Sequence, residues 1–190
     1  MLIETISIVD GEVLYLSYHQ ERLNISQKAL FDSFSPIDLS KIIKPPSNNK
    51  QLKCRVIYAD NLVDIDYLIY HPRVIKSLKL IESDIDYSFK YSSREELDRL
   101  YAKKEDADDI LIVKNDLITD TSIANIAFWD GYSWITPKTP LLRGTTRERL
   151  IRCGWLKQKD IRVDEIKKFK LFALMNAMIG FKSIKNGTIS

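Results

Sequence analysis

Cysteine is scarce in this chain of 190 residues, and long apolar runs are absent from its sequence. Its two cysteines, Cys54 and Cys153, lie far apart and lack the spacing of metal ligands, so the sequence supports neither a disulfide framework nor a metal site. No apolar run approaches the ~20 residues that a membrane-spanning helix needs. Acidic residues stand near the start, where a secretory signal would have basic ones, which makes the cytoplasm the expected compartment.

The chain also lacks a strong excess of charge of either sign. Its 29 basic and 26 acidic residues leave a formal net charge of +3, and the two kinds are interspersed. No basic stripe with interleaved aromatic residues is present, which argues against a nucleic-acid partner and fits a small anionic ligand better. With 45% hydrophobic residues, the length suits one medium domain or two small ones that share a core.

One lysine lies where the sequence pattern changes its period. Before Lys90, apolar and polar residues alternate over residues 85–89, which predicts the end of a strand with Lys90 on its polar face. After it, Ser93 and Glu96 form a capping-box pattern, and a helix is expected to about Lys104. A helix N-terminus disfavours the protonated form of a nearby lysine and can make it a nucleophile, although most lysines are ordinary surface charges.

Two hairpin signals frame the first part of the chain. Asp10-Gly11 and Asp60-Asn61 each separate two β-rich runs, which predicts two antiparallel hairpins. Between these hairpins, residues 18–34 have a helical pattern. The segment 35–49 is rich in proline, serine and asparagine and is expected to contain at most a short helix before a loop.

A break at His71-Pro72-Arg73 separates two expected lobes. We expect a small N-terminal α+β lobe over residues 1–72 and a larger C-terminal lobe over residues 73–190, which would carry Lys90. Short strands separated by turns favour a largely antiparallel arrangement in the second lobe. The order of the elements predicts an α+β fold.

Two features could bind a phosphate. Gly144-Thr145-Thr146 stands at a predicted helix start, where free N–H groups and the helix dipole favour an anion. Ordinary capping explains the same residues, because Thr145 and Glu148 complete a capping-box pattern. Arg22, one helical turn after His19, could clamp a phosphate with two hydrogen bonds or could be an ordinary solvated charge.

Two polar residues of the second lobe could complete a cofactor site. Asp120 follows a short strand and could pair with a pyridinium nitrogen, although Asp before Thr and Ser is also common in turns. Asn125 lies in an apolar run, where it could be a structural amide with satisfied hydrogen bonds. Together with Lys90, Arg22 and the helix start, these are the parts that hold pyridoxal 5′-phosphate.

In this order the motifs resemble those of the class IV, or fold type IV, pyridoxal-phosphate enzymes. That family includes branched-chain and D-amino acid aminotransferases and 4-amino-4-deoxychorismate lyase. The resemblance covers nearly the whole chain. It implies that Lys90 binds the cofactor covalently, that Asp120 contacts the pyridine nitrogen with Asn125 nearby, and that a phosphate site includes Arg22, Thr145 and Thr146. The segments that carry it are residues 3–23, 90–94, 118–126 and 144–147.

The chain also departs from the family pattern. Asp120 replaces the usual glutamate and is one methylene shorter, and the first lobe has little chain between Tyr58 and Asp66, so a shortened form of the two-lobed D-amino acid aminotransferase-like fold is expected. Asn176 lies in a stretch similar to one of the lyases, which adds it to the expected cofactor-binding residues, unless it merely ends a strand. Candidates for binding a substrate carboxylate are Tyr18, Arg55 and Arg73.

The resemblance implies a pyridoxal-phosphate-dependent lyase that converts 4-amino-4-deoxychorismate to 4-aminobenzoate and pyruvate in folate biosynthesis. One alternative is an aminotransferase for D- or branched-chain amino acids, and another is a protein that binds the cofactor without turnover. The implied partners are a small amino substrate and a second copy of the chain in a homodimer, with no nucleic acid and no membrane.

Overall fold

The computed structural model describes residues 1–47 and 50–190 and contains two compact units. The first unit comprises Met1–Pro72 with Phe89–Ser93, and the second comprises Arg73–Ser88 with Arg94–Ser190. The chain passes from the first unit to the second after Pro72 and returns to the first for residues Phe89–Ser93. Lys90, however, belongs to the first unit, whereas the sequence placed it in the second lobe. Asn48 and Asn49, at the end of the expected loop, lie outside the described residues.

A four-stranded antiparallel sheet with the order β2-β1-β3-β4 forms the first unit. Both predicted hairpins are confirmed. In the turn between the first two strands, Asp10 and Gly11 have φ values of 50° and 81°, the left-handed conformation that a two-residue hairpin turn of type I′ requires. The strands are β1 Leu2–Val9, β2 Glu12–Val13, β3 Leu52–Tyr58 and β4 Leu62–Ile69.

Two helices pack with this sheet, α1 Leu16–Leu30 and the short α2 Leu39–Ile42. The first begins and ends earlier than the predicted helix over residues 18–34, and the second is the short helix expected before the loop. The buried face of α1 is largely polar, because it consists of His19, Leu23, Ser26 and Gln27. Hydrophobic periodicity therefore described this helix poorly.

A mixed sheet forms the second unit, with the order β10-β9-β8-β7-β6-β5-β13 and with β11 and β12 continuing from β8. Its middle is antiparallel, as predicted, but the pairs β5–β6, β9–β10 and β5–β13 are parallel. A helix follows β5 and another follows β9, which supplies the long crossover that parallel pairs require. The strands are β5 Ser77–Glu82, β6 Asp109–Lys114, β7 Leu117–Thr121, β8 Asn125–Trp129, β9 Trp134–Pro137, β10 Leu156–Lys159, β11 Phe172–Asn176, β12 Gly180–Ile184 and β13 Thr188–Ile189.

The helices of the second unit are α3 Glu95–Tyr101 and α4 Thr145–Arg152. Short 3₁₀ helices follow at Ala102–Lys104 and Val163–Lys168, so the end expected near Lys104 is confirmed. None of the helices in residues 1–47 and 50–190 is long and apolar enough to cross a membrane.

Three local predictions around the helix starts were wrong. Residues 85–89 form no strand; their alternation instead reflects burial of Ile85 and Tyr87 in an extended segment. Helix α3 has Arg94 and not Ser93 as its N-cap residue, and the Ser92 N–H just before it donates a hydrogen bond to the Met1 carbonyl. Helix α4 has Gly144 and not Thr145 as its N-cap residue, and none of the described side chains caps it.

Candidate active site

A buried cluster of three charged or polar side chains lies in the first unit. Glu4 stands on β1, and His19 and Arg22 stand one turn apart on α1, so both face the same carboxylate. Arg22 donates from Nε to Glu4 Oε1 at 2.8 Å and from Nη2 to Glu4 Oε2 at 2.6 Å. His19 Nδ1 lies 2.6 Å from Glu4 Oε2. In the structure, the predicted phosphate-binding arginine thus donates two hydrogen bonds to a buried glutamate.

The charges within this cluster follow from its contacts. Burial alone would raise the pKa of Glu4, but the Arg22 charge and the hydrogen bonds from His19 and Arg22 outweigh it and lower that pKa to about 2. Burial lowers the pKa of His19, although its hydrogen bond to Glu4 acts in the opposite direction. Because ionised Glu4 can only accept hydrogen bonds, a neutral His19 must carry its proton on Nδ1 and donate it to Glu4.

Lys90 lies in the same unit as this cluster. Its carbonyl accepts a hydrogen bond of 2.9 Å from the Ile3 N–H, and the following residue, Tyr91, forms an isolated bridge with Leu2. The Lys90 charge contributes to lowering the pKa of His19, although it is the smallest of the contributions. The backbone of β1 thus holds the segment that carries Lys90.

In the second unit, Asp120 lies near the end of β7 and is only 4% exposed. Its Oδ1 accepts a hydrogen bond of 2.7 Å from Asn125 Nδ2, and its Oδ2 accepts one of 2.9 Å from the Leu142 N–H. Burial raises the pKa of Asp120 to about 6, although these hydrogen bonds act to lower it. No lysine, arginine or histidine within the described part of the chain forms an ion pair with Asp120.

Asn125 connects Asp120 to the segment that leads into α4. Both hydrogens of its amide are used, since Nδ2 also donates to the Leu142 carbonyl at 2.8 Å. The amide oxygen therefore faces Gly144, where an added Cβ would lie 2.0 Å from Asn125 Oδ1. Only glycine fits at this N-cap position while Asn125 holds Asp120. The structure thus brings together Asp120, Asn125 and the predicted phosphate turn.

The first turn of α4 is polar and buried. Thr145 and Thr146 are 6% and 4% exposed, and Arg147 is 2% exposed. Arg147 donates to Glu148 Oε1 at 2.7 Å, to the Pro137 carbonyl at 2.8 Å and to Gln158 at 3.1 Å. Its Nε, however, is buried and has no hydrogen-bond partner within residues 1–47 and 50–190. A helix N-terminus with two buried hydroxyl residues and a buried arginine favours an anion.

Asn176 has a structural position at the end of β11. Its Oδ1 accepts hydrogen bonds from the N–H groups of Met178 and Ile179 at 2.9 and 3.0 Å, and its Nδ2 donates to the Ile123 carbonyl at 3.1 Å. These bonds hold the turn between β11 and β12, in agreement with the plainer interpretation of this residue. A contact between Asn176 and a cofactor remains a prediction.

Among the candidates for a substrate carboxylate, Arg55 pairs with Asp66 on the neighbouring strand at 3.5 Å. Arg73 donates to the Tyr101 hydroxyl at 2.7 Å, and its guanidinium lies 4.7 Å from the centre of that ring. Tyr18 is half-buried on α1. None of these contacts selects one of the three.

Sequence reasoning missed Glu4, His19 and Arg147 as site residues. The spacing of His19 and Arg22 by one helical turn was visible, but their common partner on β1 depends on tertiary packing. Arg147 follows the two threonines directly, yet an arginine on a short helix gives no sign of being buried.

Comparisons with known proteins show which family and which folds this chain resembles. The model of one protein family, amino-transferase class IV, matches residues 90–186. An uncharacterized protein of Haemophilus influenzae is 35% identical over 188 residues, which cover 94% of this chain and 98% of that protein.

Two solved structures have the same fold. One, from Haemophilus somnus 129pt, is provisionally described as a 4-amino-4-deoxychorismate lyase; it is 33% identical, has a TM-score of 0.86 and covers 94% of this chain and 96% of that chain. The other is a hypothetical aminotransferase from Mycobacterium tuberculosis in its PLP-bound form. It is 16% identical with a TM-score of 0.73, covers 100% of this chain and 81% of that chain, and is similar in fold alone.

The family match covers more than half of the chain and includes Lys90, Asp120 and Thr145, while the Haemophilus influenzae relative extends the similarity to nearly the whole length. The α+β fold agrees with both, in a form shortened relative to the Mycobacterium tuberculosis aminotransferase. This chain therefore belongs to the aminotransferase class IV family and is an enzyme of the lyase or aminotransferase type.

Proposed function

We propose that this enzyme is a pyridoxal 5′-phosphate-dependent lyase that converts 4-amino-4-deoxychorismate to 4-aminobenzoate and pyruvate, a step of folate biosynthesis. The observation that carries the proposal is the buried environment of Asp120. A carboxylate that is 4% exposed and forms no ion pair with any described residue is costly to ionise, so burial raises its pKa to about 6, and the charge of Arg147 lowers that pKa too little to offset burial. A protonated pyridine nitrogen would supply a paired cation.

The residues near Asp120 fit the other end of the same cofactor. Gly144 lets the backbone at the start of α4 approach Asn125 closely, and the N–H groups of the first turn, with Thr145 and Thr146, would hold the phosphate. The buried Nε of Arg147, which lacks a hydrogen-bond partner in the described part of the chain, lies in the same turn. In the first unit, Arg22 would provide a guanidinium for the phosphate.

Lys90 would attach the cofactor through Nζ and would then accept and return a proton at that atom. Bound pyridoxal phosphate supplies an electron sink for the carbon that bears the substrate amine. Asp120 would keep the pyridine nitrogen protonated, and Asn125 would hold Asp120 in place through its hydrogen bond of 2.7 Å.

The choice of the lyase reaction rests on the Haemophilus somnus structure, whose provisional description as a 4-amino-4-deoxychorismate lyase accompanies 33% identity over 94% of this chain. Asn176, which favoured the lyase in the sequence, adds little, because its amide holds a turn. The family match favours amino-group transfer as the second candidate, with a D- or branched-chain amino acid as the donor.

The test measures pyruvate release from 4-amino-4-deoxychorismate beside a panel of D- and L-amino acids. We expect pyruvate to be released without any keto-acid acceptor. Strict dependence on an acceptor would favour the aminotransferase. Cofactor binding without activity in either assay would indicate a protein without turnover.

The role of Lys90 is tested by substitution, and Lys90→Ala should abolish both turnover and the cofactor trapped by borohydride. Lys103→Ala, at an exposed position in the 3₁₀ helix after α3, is the matched control. A colourless protein that ignores added pyridoxal phosphate would contradict the cofactor assignment.

We also propose a homodimer that acts on a small amino substrate. Sedimentation analysis of the purified protein tests the assembly, and a mass of one chain would contradict it.

A further inference from the structure

Glu4 is buried behind Arg22 in the first unit, and none of the roles in the reaction proposed above is assigned to it. It accepts two hydrogen bonds from Arg22, of 2.8 and 2.6 Å, and one of 2.6 Å from His19. Glu4 and His19 are 0% and 1% exposed, whereas the Arg22 side chain is 14% exposed. Of the three side chains, only that of Arg22 reaches the surface of its unit to any extent.

These contacts give the guanidinium of Arg22 one orientation. A guanidinium is planar and carries N–H donors along two edges that suit an oxyanion. Arg22 donates from both its Nε and its Nη2 atoms to Glu4, which fixes the plane and the direction of the whole guanidinium. Holding a flexible arginine in one orientation lowers the conformational freedom that it loses on binding an anion.

We propose that Glu4, with His19 behind it, is a positioning residue that holds Arg22 in the orientation that binds the phosphate of the cofactor. This inference rests on the proposed function, in which Arg22 anchors that phosphate. Glu4 does not touch the cofactor and acts only through Arg22. The carboxylate accepts from both atoms of one guanidinium edge, which an amide of the same size cannot do, because an amide has one oxygen and one nitrogen donor.

Orientation and charge predict opposite effects of removing Glu4. The Glu4 charge partly neutralises Arg22, so if charge alone mattered, Glu4→Gln would strengthen phosphate binding. If orientation matters, the same change weakens it, since an amide nitrogen would face a donor of Arg22 or His19. Groups that orient a binding side chain change affinity by roughly 10–100-fold when removed, as known for the partners behind metal ligands. We therefore expect orientation to prevail.

The experiment measures the dissociation constants of pyridoxal 5′-phosphate and of pyridoxal, which lacks the phosphate, for the full-length protein. Their ratio reports the phosphate contribution and is insensitive to a general loss of structure. We expect Glu4→Gln to lower this preference roughly tenfold or more by weakening the phosphorylated ligand alone. Glu4→Asp keeps the charge but withdraws it by one methylene, and should lower the preference by a smaller factor. If Glu4→Gln does not fold, Glu4→Asp alone tests the positioning role. Asp38→Asn, which removes an exposed carboxylate paired with Lys41, is the matched control.

Arg22→Ala separates the inference from the function on which it rests. If Arg22→Ala removes the preference for the phosphorylated ligand while both Glu4 variants retain it, or bind that ligand more tightly, the positioning role is refuted and the phosphate anchor stands. Equal weakening of both ligands by the Glu4 variants shows a merely structural role and refutes the inference as well. If Arg22→Ala leaves the preference intact, or the unaltered protein binds neither ligand, the proposed anchor fails and the inference fails with it.

Discussion

Replacing Gly144 by alanine tests how tightly the candidate active site is packed. An alanine Cβ at this position would lie 2.0 Å from Asn125 Oδ1 and 3.2 Å from Asn125 Cγ. Backbone strain does not contribute, because Gly144 has φ −69° and ψ 140°, which alanine adopts freely. The whole penalty therefore comes from displacing the Asn125 amide, which must move by about 1 Å or more to reach ordinary contact distance.

Such a movement breaks the two hydrogen bonds of the amide, at 2.7 Å to Asp120 and 2.8 Å to the Leu142 carbonyl. Each buried partner left unsatisfied costs about 1–3 kcal/mol. We expect Gly144→Ala to lower the free energy of unfolding by about 2–6 kcal/mol, which corresponds to roughly 5–15 °C in Tm for a chain of this size. Because Asp120 also loses its orientation, the affinity for pyridoxal phosphate should fall in the same variant.

Urea unfolding of four proteins measures this effect as a double-mutant cycle: the unaltered chain, Gly144→Ala, Asn125→Ala and the double variant. In the Asn125→Ala background the clash is gone, so Gly144→Ala should cost only the ~0.5–1 kcal/mol expected of alanine at an N-cap. Gly154→Ala is a useful contrast, because that residue has a φ of 75° but nothing within 4 Å of an added Cβ. Equal costs of Gly144→Ala with and without Asn125 would refute the packing argument.

Three further predictions concern charge and the turn at Asn176. Burial raises the pKa of Asp120 from its ordinary value of 3.8 to about 6, so the stabilising effect of its protonated form is complete below about pH 4 and is lost as the pH rises through 6. Pyridoxal phosphate binding, which needs the ionised carboxylate, should accordingly weaken below pH 6, and Asp120→Asn should remove this component from a pH titration of the dissociation constant. Because the pKa of Glu4 is lowered to about 2 from 4.5, its contribution is present above pH 4.5 and lost as the pH falls toward 2. At about 1.4 kcal/mol per pKa unit, urea unfolding should show a loss of about 3 kcal/mol over this range that is absent from Glu4→Gln. Asn176→Ala should destabilise the protein by about 1–3 kcal/mol, because it removes the hydrogen bonds that hold the turn, and an unchanged stability would contradict this role. The cofactor affinity of the same variant tests the predicted contact between Asn176 and the cofactor.

Local sequence signals predicted the parts of the fold that depend on local geometry. Asp10-Gly11 forms a tight turn because both residues can adopt positive φ, a property of the two residues themselves that the sequence shows directly. The placement of Lys90 has a different origin. Its segment joins the first unit through the hydrogen bond from the Ile3 N–H to the Lys90 carbonyl. A contact between residues so far apart in sequence leaves no local pattern. The alternation at residues 85–89 is local, and it predicts a strand that the structure does not contain.

The failures of hydrophobic periodicity coincide with the candidate site residues, and there is a physical reason. A buried polar group is tolerated only when its hydrogen bonds are satisfied, so a fold that needed nothing but a core would fill these positions with apolar side chains. Helix α1 instead buries His19 against Glu4, and the turn before α4 buries the amide of Asn125 against Asp120. Each arrangement depends on a partner from another element, which a sequence window cannot show. In both places a buried polar contact replaces an apolar one, and each contact holds a residue that the proposed cofactor would meet, Arg22 in the first unit and Asp120 in the second.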